Sequence, residues 1–231
     1  MSYETGRETR RGFLLSTREW KVVFLAASLM VLNVALIYVL ATTPLAAVNE
    51  TLFAAPILGV LVYGAALLAG EWIAERGVMN GHAPLAFLGM VILQGAFGTF
   101  GAGVLSVAPP DLRVPALAIT AAVTGGITFL IALYVYARST SFARWSTFST
   151  IAFLLGIVAI AVGTFLAPTA LLAGFVLIFA GFLFRLGWEI WRVRERRDLP
   201  VSLAAIGVYI AVMGVFVHVL QIVLRLLARR E

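Results

Sequence analysis

FRLGWEIWRVRERRDLP, residues 184–200, opens inside an apolar run and closes in a burst of arginines. Arg185 and Glu189 stand at i and i+4, so a helix sets them on one face, where they can pair. Trp188 and Trp191 bracket the glutamate, as tryptophans do where a spanning helix leaves the hydrocarbon. A charged pair at the edge of such a run reads in two ways. It anchors the helix at the headgroups, or it closes a route through the protein.

Composition decides what the run is for. The 231 residues are 62% hydrophobic and 12% charged, with a mean hydropathy of +1.03. A water-facing domain of this length cannot hide so much apolar surface, so the solvent of the exterior is lipid. Cysteine is absent, which removes disulfides, thiolate catalysis and cysteine–metal sites. With only His82 and His218, paired haem ligation is not expected, and no cofactor is implied. The net charge of +6 comes from arginines at the ends of apolar runs, a pattern of lipid headgroups and topology rather than of nucleic acid.

Seven runs are long enough to cross: 20–42, 53–73, 84–107, 114–136, 146–166, 168–190 and 201–227. The stretches TTPLAAVNE, NGHAP, APPDLR, ARSTSFAR, AP and RRDLP separate them with ordinary turn chemistry. The expected class is an all-α integral membrane protein, a bundle of seven transmembrane helices. Residues 1–19 form a basic cytoplasmic segment and 20–231 the transmembrane domain. The first run is too long for a cleavable signal and lacks a small-residue cleavage site.

Basic residues set the direction. Arg7, Arg10, Arg11, Arg18 and Lys21 precede or open the first run. Arg76, then Arg138 and Arg144, then Arg192, Arg194, Arg196 and Arg197 follow the second, fourth and sixth runs. The alternate loops hold only Arg113, so a cytoplasmic N-terminus in the cell membrane is expected. Arg229 and Arg230 fall on the opposite side if the last run crosses fully, as its length implies.

Small and polar residues mark candidate interior faces. LQGAFGTFGAG in the third run, with Gln94, Gly95, Gly98 and Gly101, and TGG at 124–126 read first as close helix packing and second as a glycine-lined ion route. Ala211, Gly214, His218, Gln221 and Arg225 share one face of the seventh run, opposite Ile210, Val212, Val217 and Ile222. That polar stripe is expected to face the protein interior or a watery cavity. His218 reads as a helix–helix hydrogen bonder or a proton sensor; Arg225 reaches toward the interface. A metal site is not expected from these spacings. Glu71 and Glu75 close the second run at the level of Glu189, so three carboxylates and Arg185 are candidates for a cytoplasmic plug.

The chain resembles the Bax inhibitor-1 family. The resemblance runs over STREWKVVFLAASLM, LQGAFGTFGAG, TGGITFLIALYVYAR and the AP link, and most strongly over FRLGWEIWRVRERRDLPVSLAAIGVYI. It implies a passive, proton-sensitive cation leak, chiefly for calcium, held by a latch of paired carboxylates on the sixth and seventh helices. Trp188-Glu189-Ile190 matches the first acidic position, and Arg225 is similar to a basic residue kept near the end of the last helix. At the second position Tyr209-Ile210-Ala211 offers alanine instead of aspartate, which takes away the acid pair that would sense protons. His218 is then the candidate replacement.

Two functional readings follow. One is a leak channel or transporter for calcium or another cation, with Glu189, Arg185, His218, Gln221, Arg225 and Glu71 as its path or gate. The other is a non-transporting regulator or scaffold whose partners are other membrane proteins. No GxSxG or HExxH motif occurs, so an enzyme is not expected. Lys21 is the single lysine, leaving later runs without a Schiff-base residue for retinal.

Overall fold

The computed structural model describes residues 15–228, so Arg7, Arg10, Arg11, Arg229 and Arg230 lie outside the described residues. Eight α-helices follow one another, with no strand among the described residues: α1 Thr17–Leu40, α2 Ala47–Phe53, α3 Pro56–Met79, α4 Ala83–Ser106, α5 Pro110–Ala137, α6 Arg144–Phe165, α7 Ala170–Glu195 and α8 Val201–Leu227. All but α2 are long and apolar enough to span a bilayer, giving a seven-span membrane bundle. The last span is one unbroken helix, as a full crossing requires.

Local chemistry sets the ends. Ser16 caps α1 in a capping box, accepting from the Glu19 N–H at 3.3 Å while its own N–H donates to the Glu19 carboxylate at 2.6 Å. Prolines sit in the first turns of α3, α4 and α5, where no intrahelical N–H is needed. Gly81, with φ 69°, takes the left-handed position that ends α3 and lets α4 double back. Arg196 and Asp198 form a two-pronged 3.0 Å pair in the exposed α7–α8 turn, and the guanidinium holds the carboxyl below its ordinary range.

Two boundaries differ from the sequence expectation. The stretch TTPLAAVNE is not a plain turn: it winds into a 3-10 turn, Pro44–Ala46, and then into α2, so the second span begins at Pro56. Ala55, pushed to φ −118°, ψ 108° ahead of proline, makes the break. The sixth span continues past 190 to Glu195, because arginine, glutamate and tryptophan carry a helix well beyond the end of the apolar run. Glu189 therefore lies more than a turn inside the helix rather than at its tip.

α3 pairs closely with α4, and α6 with α7, while α8 runs between them and against α1 and α5. From Leu203 to Leu220 every residue of α8 except Val208 is buried. Ile210, Val212 and Val217 are buried together with Ala211, Gly214 and His218 of the polar stripe, so this part of α8 has no lipid face to set against an interior one. Gln221 is half-buried and Arg225 exposed near the end of the helix. The encircling helices cover it on all sides. Close approach depends on glycine at two of the three predicted positions in α4: a Cβ on Gly98 or Gly101 would run into Leu36 or Ile37 of α1, whereas Gly95 has nothing within 4 Å of a Cβ. Gly125 and Gly126 of α5 correct that reading, since both are exposed with nothing within 4 Å of a Cβ. Gly125→Ala and Gly126→Ala should each raise stability by up to about 1 kcal/mol through helix propensity. A lowered thermal midpoint in detergent would mean another surface packs there.

Candidate functional site: a cavity closed by charge at one end

The bundle's two ends are chemically distinct. The starts of α1, α6 and α8 and the ends of α3, α5 and α7 gather the arginines, and this is here called the arginine-rich end. Several of those arginines serve as structural caps. Arg18 donates to the carbonyls of Val193 at 2.9 Å, Arg196 at 3.1 Å and Leu199 at 2.8 Å, closing the C-terminus of α7. Arg194 does the same for α5 through Val135 at 2.7 Å and Arg138 at 3.0 Å. At the other end Arg113 donates to Ala108, Ser106 and Ala41. The lone arginine of the alternate loops is thus tied to carbonyls from two chain segments.

A cavity of about 690 Å³ lies among α2, α3, α4, α6, α7 and α8. Its walls are mainly aromatic and aliphatic. Glu71 and Arg185 border it toward the arginine-rich end; Asn49, Glu50, Gln221 and Arg225 border it toward the α2 end. The six sequence-derived candidates are thereby divided. Glu71, Arg185 and Glu189 come together, whereas His218, Gln221 and Arg225 lie farther along α8 in the other half of the cavity.

The charged cluster joins α3 to α7. Arg185 pairs with Glu71 through Nη2, and its contact to Glu189, the expected i, i+4 partner, is longer at 4.0 Å. Glu189 instead has Arg192 at 2.7 Å, three residues on, and Arg192 also stacks on Trp188 at 4.6 Å. Glu189 is fully buried, and neither of its oxygens receives a well-directed hydrogen bond among the described residues. Glu75, the third carboxylate of the expected plug, is exposed and joins no ion pair of the described residues. Two acids and two arginines therefore balance formally.

The seat of this cluster on α8 is Gly207. A Cβ there would lie 2.5 Å from Glu189 Oε2 and 2.6 Å from Arg192 Nη2. Gly207→Ala should displace the Glu189–Arg192 pair and cost about 1–3 kcal/mol, as overpacking does. An unaltered thermal midpoint would contradict this packing.

No family model, curated protein or solved structure matches this chain. His218 is buried, with Nδ1 2.7 Å from the Gly214 carbonyl of its own helix, and rests among Phe175, Phe179 and Phe182. It bonds within α8 rather than across helices. Eleven residues separate it from Gly207, about 16 Å by helical rise, so it does not stand in for a second acid beside Glu189. Ala211, at the departed acidic position, is buried and brings no carboxylate. The second carboxylate near Arg185 comes from Glu71 on α3.

Gln94 turns toward α1, not the cavity. Its side-chain oxygen accepts from Asn33 at 2.6 Å and its amide donates to the Leu29 carbonyl at 3.0 Å. Asn33 went unread in the sequence, as did Arg192 as a cluster member. A lone asparagine in an apolar run and an i, i+3 spacing to Glu189 were the available signals.

Proposed function

We propose that the protein is a passive cation leak channel of the cell membrane, its N-terminus cytoplasmic and its route closed at the cytoplasmic end by Glu71, Arg185, Glu189 and Arg192. The observation that carries this reading is the position of the balanced cluster: its Glu71 and Arg185 border one end of a cavity that extends along α8 toward Arg225. A salt-bridged link between α3 and α7 is a latch that can part without unfolding either helix. Charge at this depth is expensive unless paired or hydrated, and membrane proteins place it on functional pathways. The likeness of the sixth and seventh spans to the Bax inhibitor-1 family favours the same class. Calcium is one candidate ion, but it takes six to eight oxygens, and Glu71 and Glu189 already face arginines.

Flux of calcium, potassium and protons into liposomes holding the purified protein, from pH 6 to 8, tests the reading. Glu189→Gln leaves the cluster with one excess positive charge and should slow cation entry severalfold. Absence of flux for every ion from folded protein would overturn the leak. The alternative is a non-transporting regulator of other membrane proteins. The apolar character of most of the cavity wall favours it.

A further inference from the structure

The two ends of the cavity are unequal in charge. Toward the arginine-rich end, Arg185 is answered by Glu71 and Glu189. Toward the α2 end, Arg225 is exposed, with its guanidinium 5.4 Å from the Phe175 ring centroid. No carboxylate of the described residues pairs with it. Glu50 of α2 borders the same end, is exposed, and forms no ion pair with Arg225. Between the ends stand Phe53, Phe100, Phe153, Phe175 and Phe182. From Ile210 to Arg225 the wall formed by α8 rises about 22 Å. An apolar slot of this length, within the ordinary size range of ligand sites, suits a hydrocarbon chain. The unanswered arginine at its rim selects an anionic head group.

We propose that the cavity holds one acyl chain of an anionic membrane phospholipid from the leaflet at the α2 end, with the lipid phosphate on Arg225. Gln221 lies one turn before Arg225 on the same face and supplies a neutral amide to the ester or phosphate oxygens. The site shares its cavity with the proposed leak, and a seated chain fills the route, so bound lipid restrains flux. Lipid binding itself does not require that any ion pass.

Native mass spectrometry of the full chain in uncharged detergent, titrated separately with phosphatidylglycerol, phosphatidylcholine and oleate, tests this. Wild-type protein should retain one phosphatidylglycerol about tenfold more tightly than phosphatidylcholine, whose choline cation offsets the phosphate charge beside Arg225. Arg225→Gln should erase that preference. Gly64 borders the cavity with nothing within 4 Å of a Cβ, so the side chain of Gly64→Trp starts in open space beside the slot. It should weaken retention of both phospholipids about tenfold at an unchanged thermal midpoint. Equal retention of the two phospholipids by wild type, or phosphatidylglycerol retention indifferent to both variants, overturns the proposal. Tighter retention of oleate than of phosphatidylglycerol overturns the phospholipid as occupant. The liposome assay separates the two ideas: retained lipid without flux defeats only the leak, and flux without lipid preference defeats only this site.

Discussion

Liposomes carrying Arg185→Gln should admit cations about ten times faster than those carrying the wild-type protein. The substitution leaves Glu71 and Glu189 facing Arg192 alone, so the end of the cavity gains one net negative charge. A unit charge about 4 Å from a passing cation is worth about 4 kcal/mol at a partly screened protein site. A tenfold change in rate needs only about 1.4 kcal/mol, so the expectation survives considerable further screening. The same substitution removes the ion pair that joins α3 to α7 among the described residues, which frees the two helices from that link as well. Arg185→Lys keeps the charge but loses the planar fork, and should fall between the two. Glu189→Gln moves the balance the other way. Flux that falls in both Arg185→Gln and Glu189→Gln would point to damaged structure and would remove the charged cluster from the gating account.

Gly89→Val should prevent accumulation of a stable bundle. A Cβ at Gly89 would fall on the backbone of Ala74 and within 2.6 Å of the Gly70 carbonyl oxygen. Side chains can turn aside, but two helix backbones in contact can only separate. Separation would open the α3–α4 pair along its length, so the loss should reach or exceed the about 1–3 kcal/mol of ordinary overpacking. Gly77 makes the reciprocal contact, lying against the backbone of Ala86. Gly95→Val, six residues along the same helix with nothing within 4 Å of its Cβ, is the matched control. Thermal unfolding in detergent decides the matter: equal midpoints for the Gly89 and Gly95 variants would refute backbone contact at Gly89.

The spans were legible because hydrocarbon thickness imposes a length that hydropathy reveals directly. Their ends were less so. An apolar window stops where charge begins, yet a helix stops where its hydrogen bonds do, and WRVRE carries α7 on to Glu195. The candidate site was legible in its members but not in its pairings. Sequence spacing offered Arg185 only the glutamate on its own helix, whereas the fold supplies Glu71 from another and hands Glu189 to Arg192. Glycine showed the same limit from the other direction. Gly98 and Gly125 look alike in sequence, yet one lies under Leu36 and the other faces outward, because facing depends on which neighbours the topology provides. The burial of α8 on every side was likewise invisible, since a helix encircled by protein and one bathed in lipid both read as apolar all round.

The helix at the centre of this bundle is also the one that follows all its neighbours in the chain. α1, α3, α4, α5 and α7 are synthesised before α8 exists to fill the space they enclose. Spanning helices insert as separate units and associate afterwards, so the earlier ones wait in the bilayer without their common core. Assembly of this protein is therefore gated by chain length. A nascent chain that stops before Val201 has its full complement of surrounding walls and nothing for them to close upon, and it exposes to chaperones and proteases the faces that α8 would have covered.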